Sequence, residues 1–267
     1  YNVTAATRPI EKFVDQLSNW YLRRSRRRYW KTESDSDKAA AYATLYEALK
    51  TLAYLLAPTM PFMAEEMYRN LVLEVEPEAP ASVHLAEWPG YDPDLIDEGL
   101  NLDMVTVMKL ASLGHAARNS ENLKVRQPLA EAAFVVGNAE EQRVVADYAD
   151  LLIDELNVKE VSLFGSASEA VLFSLNPLPK QLGQRFKALF PKVRQKLLEL
   201  PADKSARKLL DGESLRITVA GEEYEITPDE VEVRAEAKEG YAVASEGAYL
   251  AALVTELTPE LVNEGLV

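Results

Sequence analysis

The residues best suited to do chemistry in this chain lie between positions 20 and 31. They read Trp20-Tyr21-Leu22-Arg23-Arg24-Ser25-Arg26-Arg27-Arg28-Tyr29-Trp30-Lys31. Six are basic (Arg23, Arg24, Arg26, Arg27, Arg28, Lys31) and four are aromatic (Trp20, Tyr21, Tyr29, Trp30). A guanidinium pairs with phosphate through a planar fork, and aromatic rings stack on unpaired bases. The chain as a whole carries a net charge of −14, which repels a polyanion, so a cationic cluster of this density acts locally. Nucleic acid is the first partner these residue types point to.

On a regular helical wheel with Arg23 at zero, Trp20, Phe13, Leu17, Ile10, Tyr21 and Val14 span about 60–180°. Arg23, Arg27, Lys31, Arg24 and Arg28 fall at about 0–140°, and only Arg26 points elsewhere. The cations therefore continue the core stripe, and five cations are not buried without partners. The expectation is a helix end that projects past its neighbours or lines a solvent-filled groove. Two structural alternatives stand beside nucleic acid. One is a solvated helix end whose cations the dipole favours; the other is pairing of the arginines with carboxylates of a neighbouring domain. Tyr21 reads as core, Trp20 as marginal, and Tyr29 and Trp30 as possible caps of the bundle.

A second basic element, Lys124-Val125-Arg126-Gln127-Pro128, places Lys124 and Arg126 on one face if extended, or forms a polar edge leading into a strand. His84 and His115 read as ordinary hydrogen-bonding residues, and Glu65-Glu66 as a solvated pair on a helix exterior. With no cysteine, disulfides and thiolate metal sites are excluded. No spacing suggests zinc, and no nucleophile-plus-base arrangement or phosphate loop occurs. No apolar run approaches the ~20 residues of a membrane span. Tyr1 enters helical pattern without a methionine, which reads as a piece of a longer cytoplasmic chain.

Charge is uneven. Residues 1–73 carry +3, residues 74–103 hold nine acids and no base, residues 104–128 return to +3, and residues 201–267 reach −9. A polyanion is thus expected on the first half, with the tail facing away. Within 160–267 a local basic patch, such as Lys180, Arg185, Lys187, Lys192 and Arg194, would still suit RNA.

The elements that would position these residues follow from periodicity. Helices are expected over 3–30 (starting or kinking near Pro9), 37–56 (Leu45, Leu49, Leu52 and Leu56 inward), 62–73 (Met63, Met67 and Leu71 on one side) and 95–119 (carrying Leu102, Val105, Met108 and Leu110). An acidic, proline-rich crossing segment, 74–96, precedes the last. Four helices with short links suggest an up-and-down bundle. Beyond residue 123 the pattern changes to strand, helix, strand (130–136, 140–156, 158–164), a βαβ-like unit. A strand at 170–174, helices at 179–200 and 203–211, strands at 215–219, 224–227, 231–235, 241–244 and 249–254, and a helix from Pro259 complete the reading. The fold class is α+β: a helical bundle over 1–125 and a mixed α/β domain over 126–267, with the boundary within 120–160.

Residues 13–30 closely resemble the start of the anticodon-binding region of isoleucyl-tRNA synthetases. Residues 55–66 (Leu-Leu-Ala-Pro-Thr-Met-Pro-Phe-Met-Ala-Glu-Glu), 82–89 (Ser-Val-His-Leu-Ala-Glu-Trp-Pro) and 124–129 (Lys-Val-Arg-Gln-Pro-Leu) are similar to further signatures of that region. Residues 155–159 and 256–261 resemble the family's C-terminal region. The resemblance implies a class I synthetase helical bundle that grips the anticodon stem-loop of tRNA(Ile), followed by an α/β region. It implies tRNA contacts at Trp20, Arg23, Arg24, Arg27, Arg28, Trp30, Lys31, Lys124 and Arg126. It implies that the parent protein is an isoleucine-tRNA ligase using ATP and Mg, with catalytic and editing domains as partners in the same polypeptide. The family's HIGH and KMSKS signatures do not occur here, so no catalytic residue, cofactor or metal is expected within these residues, and no membrane partner. The alternative is a structural module whose arginines dock on the catalytic core.

Overall fold

The computed structural model describes residues 2–30, 34–210 and 212–266. It is α+β and divides into two compact units, Tyr1–Ile96 and Asp97–Val267.

The first unit is helical. Helix α1 (Val3–Gln16) begins two turns before Pro9, because the Asn2 side chain accepts the Ala5 amide (3.0 Å) and supplies the N-cap. A π-helical segment (Leu17–Leu22) follows without a break, then α2 (Arg23–Trp30). Helix α3 (Asp35–Leu56) is capped by Ser34 and carries Asp35 and Asp37 in its first turn, where the dipole favours anions. Pro61 opens α4 (Pro61–Tyr68), which runs into a second π segment (Arg69–Leu73).

The buried face of α4 is Ala64, Tyr68 and Val72, one position round from the Met63, Met67 and Leu71 side the periodicity suggested; Met63 is exposed and Met67 and Leu71 are half-buried. The acidic crossing segment explains the shift. Tyr68 Oη donates to the Pro80 carbonyl (2.9 Å), and the Glu65 carboxylate accepts from Ser82 Oγ (2.8 Å) and the Val83 amide (3.1 Å). Glu65 is therefore a clasp on residues 80–83 rather than half of a solvated pair, while Glu66 is exposed and accepts from Asn70 one turn further on. In α3 the buried residues are Ala41, Leu52 and Ala53; Leu45, Leu49 and Leu56 are half-buried.

Glu76 ties the far end of the segment to α3 through Lys50 and through Tyr46 Oη (3.0 Å). The Lys50 hydrogen bond, with help from Tyr46, holds the Glu76 carboxyl below its usual range. Its contribution to stability is complete above the ordinary glutamate value of about 4.3 and is lost as pH falls through the depressed folded value. Urea titrations at pH 6 and pH 3 should therefore show a larger loss of midpoint for the wild type than for Glu76→Gln; equal losses would remove Glu76 as a source of the acid sensitivity.

The second unit begins with α5 (Glu98–Ser120), capped by Asp97. This helix, expected as the fourth of the bundle, packs instead on strands and helices of its own unit. The division into compact units falls at Ile96/Asp97. Leu102 and Val105 are exposed; the buried face is Val107, Leu110, Ala111, Gly114, Ala117 and Arg118. Gly114 is needed there, because a Cβ would lie 2.5 Å from Leu156 Cδ2.

A four-stranded sheet in the order β2-β1-β8-β7 receives α5, with β1 (Leu129–Val135), β2 (Val158–Leu163), β7 (Tyr241–Glu246) and β8 (Tyr249–Val254). Strand β1 pairs in parallel with β2 and antiparallel with β8, and its central Ala132, Ala133 and Phe134 are fully buried, as a strand covered on both edges and faces requires. Helices α6 (Ala139–Asp147) and α7 (Ala149–Leu156) make the β1-to-β2 crossover, the expected βαβ unit.

A second cluster gathers β3 (Val171–Pro177) paired with β6 (Val231–Ala237), β4 (Leu215–Val219) paired with β5 (Glu222–Ile226), and helices α8 (Pro179–Phe186), α9 (Phe190–Leu198) and α10 (Ala202–Leu210). The single helix expected over 179–200 is broken at Lys187, whose φ of +44° ends α8. Helix α11 (Pro259–Leu266) closes the chain.

Candidate nucleic-acid interface

The π segment decides which residues α2 presents. It adds one residue to a turn and so sets back every later residue by about 100° relative to a regular helix. The apolar arc then meets Ser25 and Tyr29 instead of the arginines, and Leu17, Ser25 and Tyr29 are the buried residues of the whole run. Tyr29 packs edge-to-face on Tyr42 of α3, ring centroids 5.0 Å apart, and burial raises its phenol pKa to about 12. The expected continuation of the core stripe into five cations is therefore corrected: the extra residue turns the cations off that stripe.

Arg23, Arg26, Arg27 and Trp30 are the exposed side chains of α2. Ser18, Asn19, Arg23, Arg26, Trp30 and Tyr42 are among the residues lining a cleft of about 560 Å³ against α3. Trp30 is 78% exposed, unusual for so large an apolar ring, and Tyr42 is 48% exposed beside it. The cleft thus joins two guanidinium groups to two accessible aromatic faces. Arg26, the residue set aside by the regular wheel, belongs to it. The residues flanking a π turn are the signal that would have found Arg26, and a sequence alone does not mark where such a turn falls.

The remaining candidates are placed differently. Arg28 forks on Asp37, Nη2 to Oδ1 at 2.7 Å and Nε to both oxygens at 3.1 Å, and this bond raises its own pKa while lowering that of Asp37. Its guanidinium is a helix-to-helix tie. Arg24 lies over the Trp20 ring, 5.4 Å from the centroid, so one face of that indole is covered. Arg23 Nε donates to the Asn19 carbonyl (2.9 Å). Arg26 and Arg27 side chains meet no hydrogen-bond or ion-pair partner among the described residues. Lys31 lies outside the described residues.

Lys124 and Arg126 belong to the second unit, on the loop between α5 and β1, and both are exposed. That loop is held from beneath by Arg118, which is fully buried and directs all five of its N–H groups at backbone carbonyls. Nε and Nη2 reach Leu156 O (3.1 and 2.6 Å), Nη2 also Asn157 O (3.0 Å), and Nη1 reaches Lys124 O (2.9 Å) and Gln127 O (3.0 Å). Loss of hydration pulls the Arg118 pKa down to about 10, which still leaves it charged at neutral pH beside the C-terminal carbonyls of α7. Asn157 Nδ2 donates to the Val125 carbonyl (2.9 Å), and Gln127 Nε2 donates to Leu261 O (2.7 Å). With its carbonyls turned inward, the loop offers the Lys124 and Arg126 side chains to solvent.

No group of three or more His, Asp or Glu side chains among the described residues is arranged to hold a metal ion, and none of their helices is long and apolar enough to cross a membrane. His115 shares a hydrogen bond with the buried Glu155 (3.1 Å), and His84 is exposed.

Residues 1–133 match the family model described as the anticodon-binding domain of tRNA ligase. The match runs past the contact boundary, through α5 and into β1. The whole chain is 42% identical to a protein named isoleucine–tRNA ligase from Thermus thermophilus, covering 26% of that protein. Proteins of the same name from Clostridium acetobutylicum and Deinococcus radiodurans are each 40% identical over 99% and 100% of the chain, which covers 25% and 24% of them. The chain thus spans about a quarter of the length of these relatives. Similarity at this level, unbroken from the arginine-rich helix to the last strand, means that the chain belongs to the isoleucyl-tRNA synthetase family.

Proposed function

We propose that this chain binds tRNA, gripping the anticodon stem-loop of tRNA(Ile) so that a catalytic core elsewhere in the parent ligase can aminoacylate it with ATP. The observation that carries this reading is the α2 cleft, where Arg23 and Arg26 flank the exposed Trp30 and Tyr42. Guanidinium groups supply phosphate contacts and the rings supply stacking for an unpaired base. The Lys124–Arg126 loop is a second cationic element for the same ligand.

The reading is tested by filter binding of a tRNA(Ile) transcript at several salt concentrations. Arg23→Glu/Arg26→Glu should weaken binding on the order of tenfold or more and lower the log–log salt slope by about one for each phosphate contact removed. Trp30→Ala should cost about 1–3 kcal/mol of affinity if a base stacks there. Unchanged affinity and slope in the double variant would overturn the assignment.

A second reading has one observation behind it. No residue of α1 is buried, and Phe13 and Val14 are exposed, so its apolar face suits packing against another part of the ligase. If that is the main role of this stretch, binding to tRNA will be absent or insensitive to salt.

A further inference from the structure

Residues 201–267 hold fifteen acidic and six basic side chains. With acids in such excess, each cation could find a partner cheaply. Three do: Arg207 donates to Ser166 Oγ, Arg234 pairs with Glu232 (2.9 Å), and Lys238 donates to the Ser168 carbonyl. The other three, Lys204, Lys208 and Arg216, have no hydrogen-bond or ion-pair partner among the described residues, and all three line one cleft of about 510 Å³. Ser205 and Ser214 add hydroxyl groups to its wall and Glu213 is its one described acid, so the lining is net cationic within the most acidic stretch of the chain.

The local fold converges them. Lys204 and Lys208 are one turn apart on α10. Gly212, at φ +82°, turns the chain back so that the Glu213 amide reaches the Lys208 carbonyl (2.8 Å) and β4 runs beside α10. On β4 the alternating Leu215, Ile217 and Val219 are buried, which leaves Arg216 facing outward. The patch that charge alone suggested is less suited: Arg185 gives Nη1 to both oxygens of the buried Glu230 (2.8 Å each) and lies over Phe186, so its charge is already spent.

We infer that the α10–β4 cleft is a phosphate-binding site for an RNA backbone, a contact separate from α2 and from the Lys124–Arg126 loop. The inference rests on the RNA-binding reading above. Lys208→Glu/Arg216→Glu in the full chain should weaken binding of a tRNA transcript about tenfold and lower the salt slope by about two. Lys180→Glu/Lys192→Glu, with the same change in net charge, should leave the slope at its wild-type value. Lys204→Gln/Lys208→Gln, a milder pair, covers the case in which charge reversal disturbs folding, as checked by thermal melting. A slope equal to that of the control pair would overturn the site. So would saturable binding of inorganic phosphate or AMP that these variants abolish while tRNA affinity stays unchanged, because the cleft would then serve a small phosphorylated ligand. If Arg23→Glu/Arg26→Glu has no effect while the Lys208/Arg216 pair lowers the slope, the α2 reading falls and this one stands; the reverse pattern removes only this one.

Discussion

Replacing Arg118 with methionine should lower the unfolding free energy of the second unit by about 3–5 kcal/mol, the range for removing one side of a buried, fully bonded charge. The geometry explains the size. Arg118 has no exposed surface and serves the carbonyls of Lys124, Gln127, Leu156 and Asn157, which belong to three segments: the α5–β1 loop, the end of α7 and the turn that leads into β2. Methionine fills much of the volume but leaves those carbonyls without donors, and each buried unsatisfied group costs about 1–3 kcal/mol, offset in part by no longer burying a charge. Arg118→Lys keeps the charge but has three donors where five are used, so it should fall between wild type and methionine. Urea unfolding gives the energies. Limited trypsin digestion gives the local effect, since released cleavage after Lys124 and Arg126 is expected once the loop loses its anchor. A methionine variant within about 0.5 kcal/mol of wild type, the scatter of ordinary surface changes, would show that the five bonds contribute no net stability.

How far the sequence could be read depended on whether an element's partner was local. The helix at the start, the βαβ crossover and the strands around Gly turns are set by periodicity and turn residues within each segment. What the periodicity missed were faces and packing partners set by something distant. The side of α4 that is buried depends on where residues 80–83 lie, and the sequence does not show that Glu65 and Tyr68 clasp them. Helix α5 looks like one more bundle helix until strands β7 and β8, more than a hundred residues later, prove to be its floor. The candidate site was legible in type and misread in phase. Arg23 and Trp30 are where the run of arginines and aromatics suggested, but the π segment exchanges Arg26 for Arg28 on the accessible side. One extra residue in a helical turn leaves no compositional trace, yet it moves every later side chain by more than a quarter of a circle. The resemblance to the synthetase family covered nearly the whole chain, and the relatives align over 99–100% of it.

Tyr68 should show the other large effect. Tyr68→Ala is expected to destabilise the first unit by about 3–5 kcal/mol, as for loss of a buried aromatic ring, and Tyr68→Phe by about 1 kcal/mol. The buried cluster around it is small, Ala64, Tyr68, Val72 and Val83, and the ring is the largest side chain in it and fully enclosed. It meets Tyr54 of α3 edge-to-face at 5.7 Å, so it joins α3 to α4, while its hydroxyl holds Pro80. Phenylalanine keeps the ring contacts and loses one bond to a carbonyl near the surface that water can reach; alanine leaves a cavity between two helices with little apolar surface to collapse into it. Because α2 rests on α3 through Tyr29, Tyr42 and the Ala41 carbonyl, the tRNA binding proposed above should persist in Tyr68→Ala below its lowered melting transition and disappear above it. Thermal melting followed by circular dichroism, with binding measured on either side of the transition, checks both parts. Equal midpoints for the alanine and phenylalanine variants would mean that the hydroxyl, not the ring, holds this unit together.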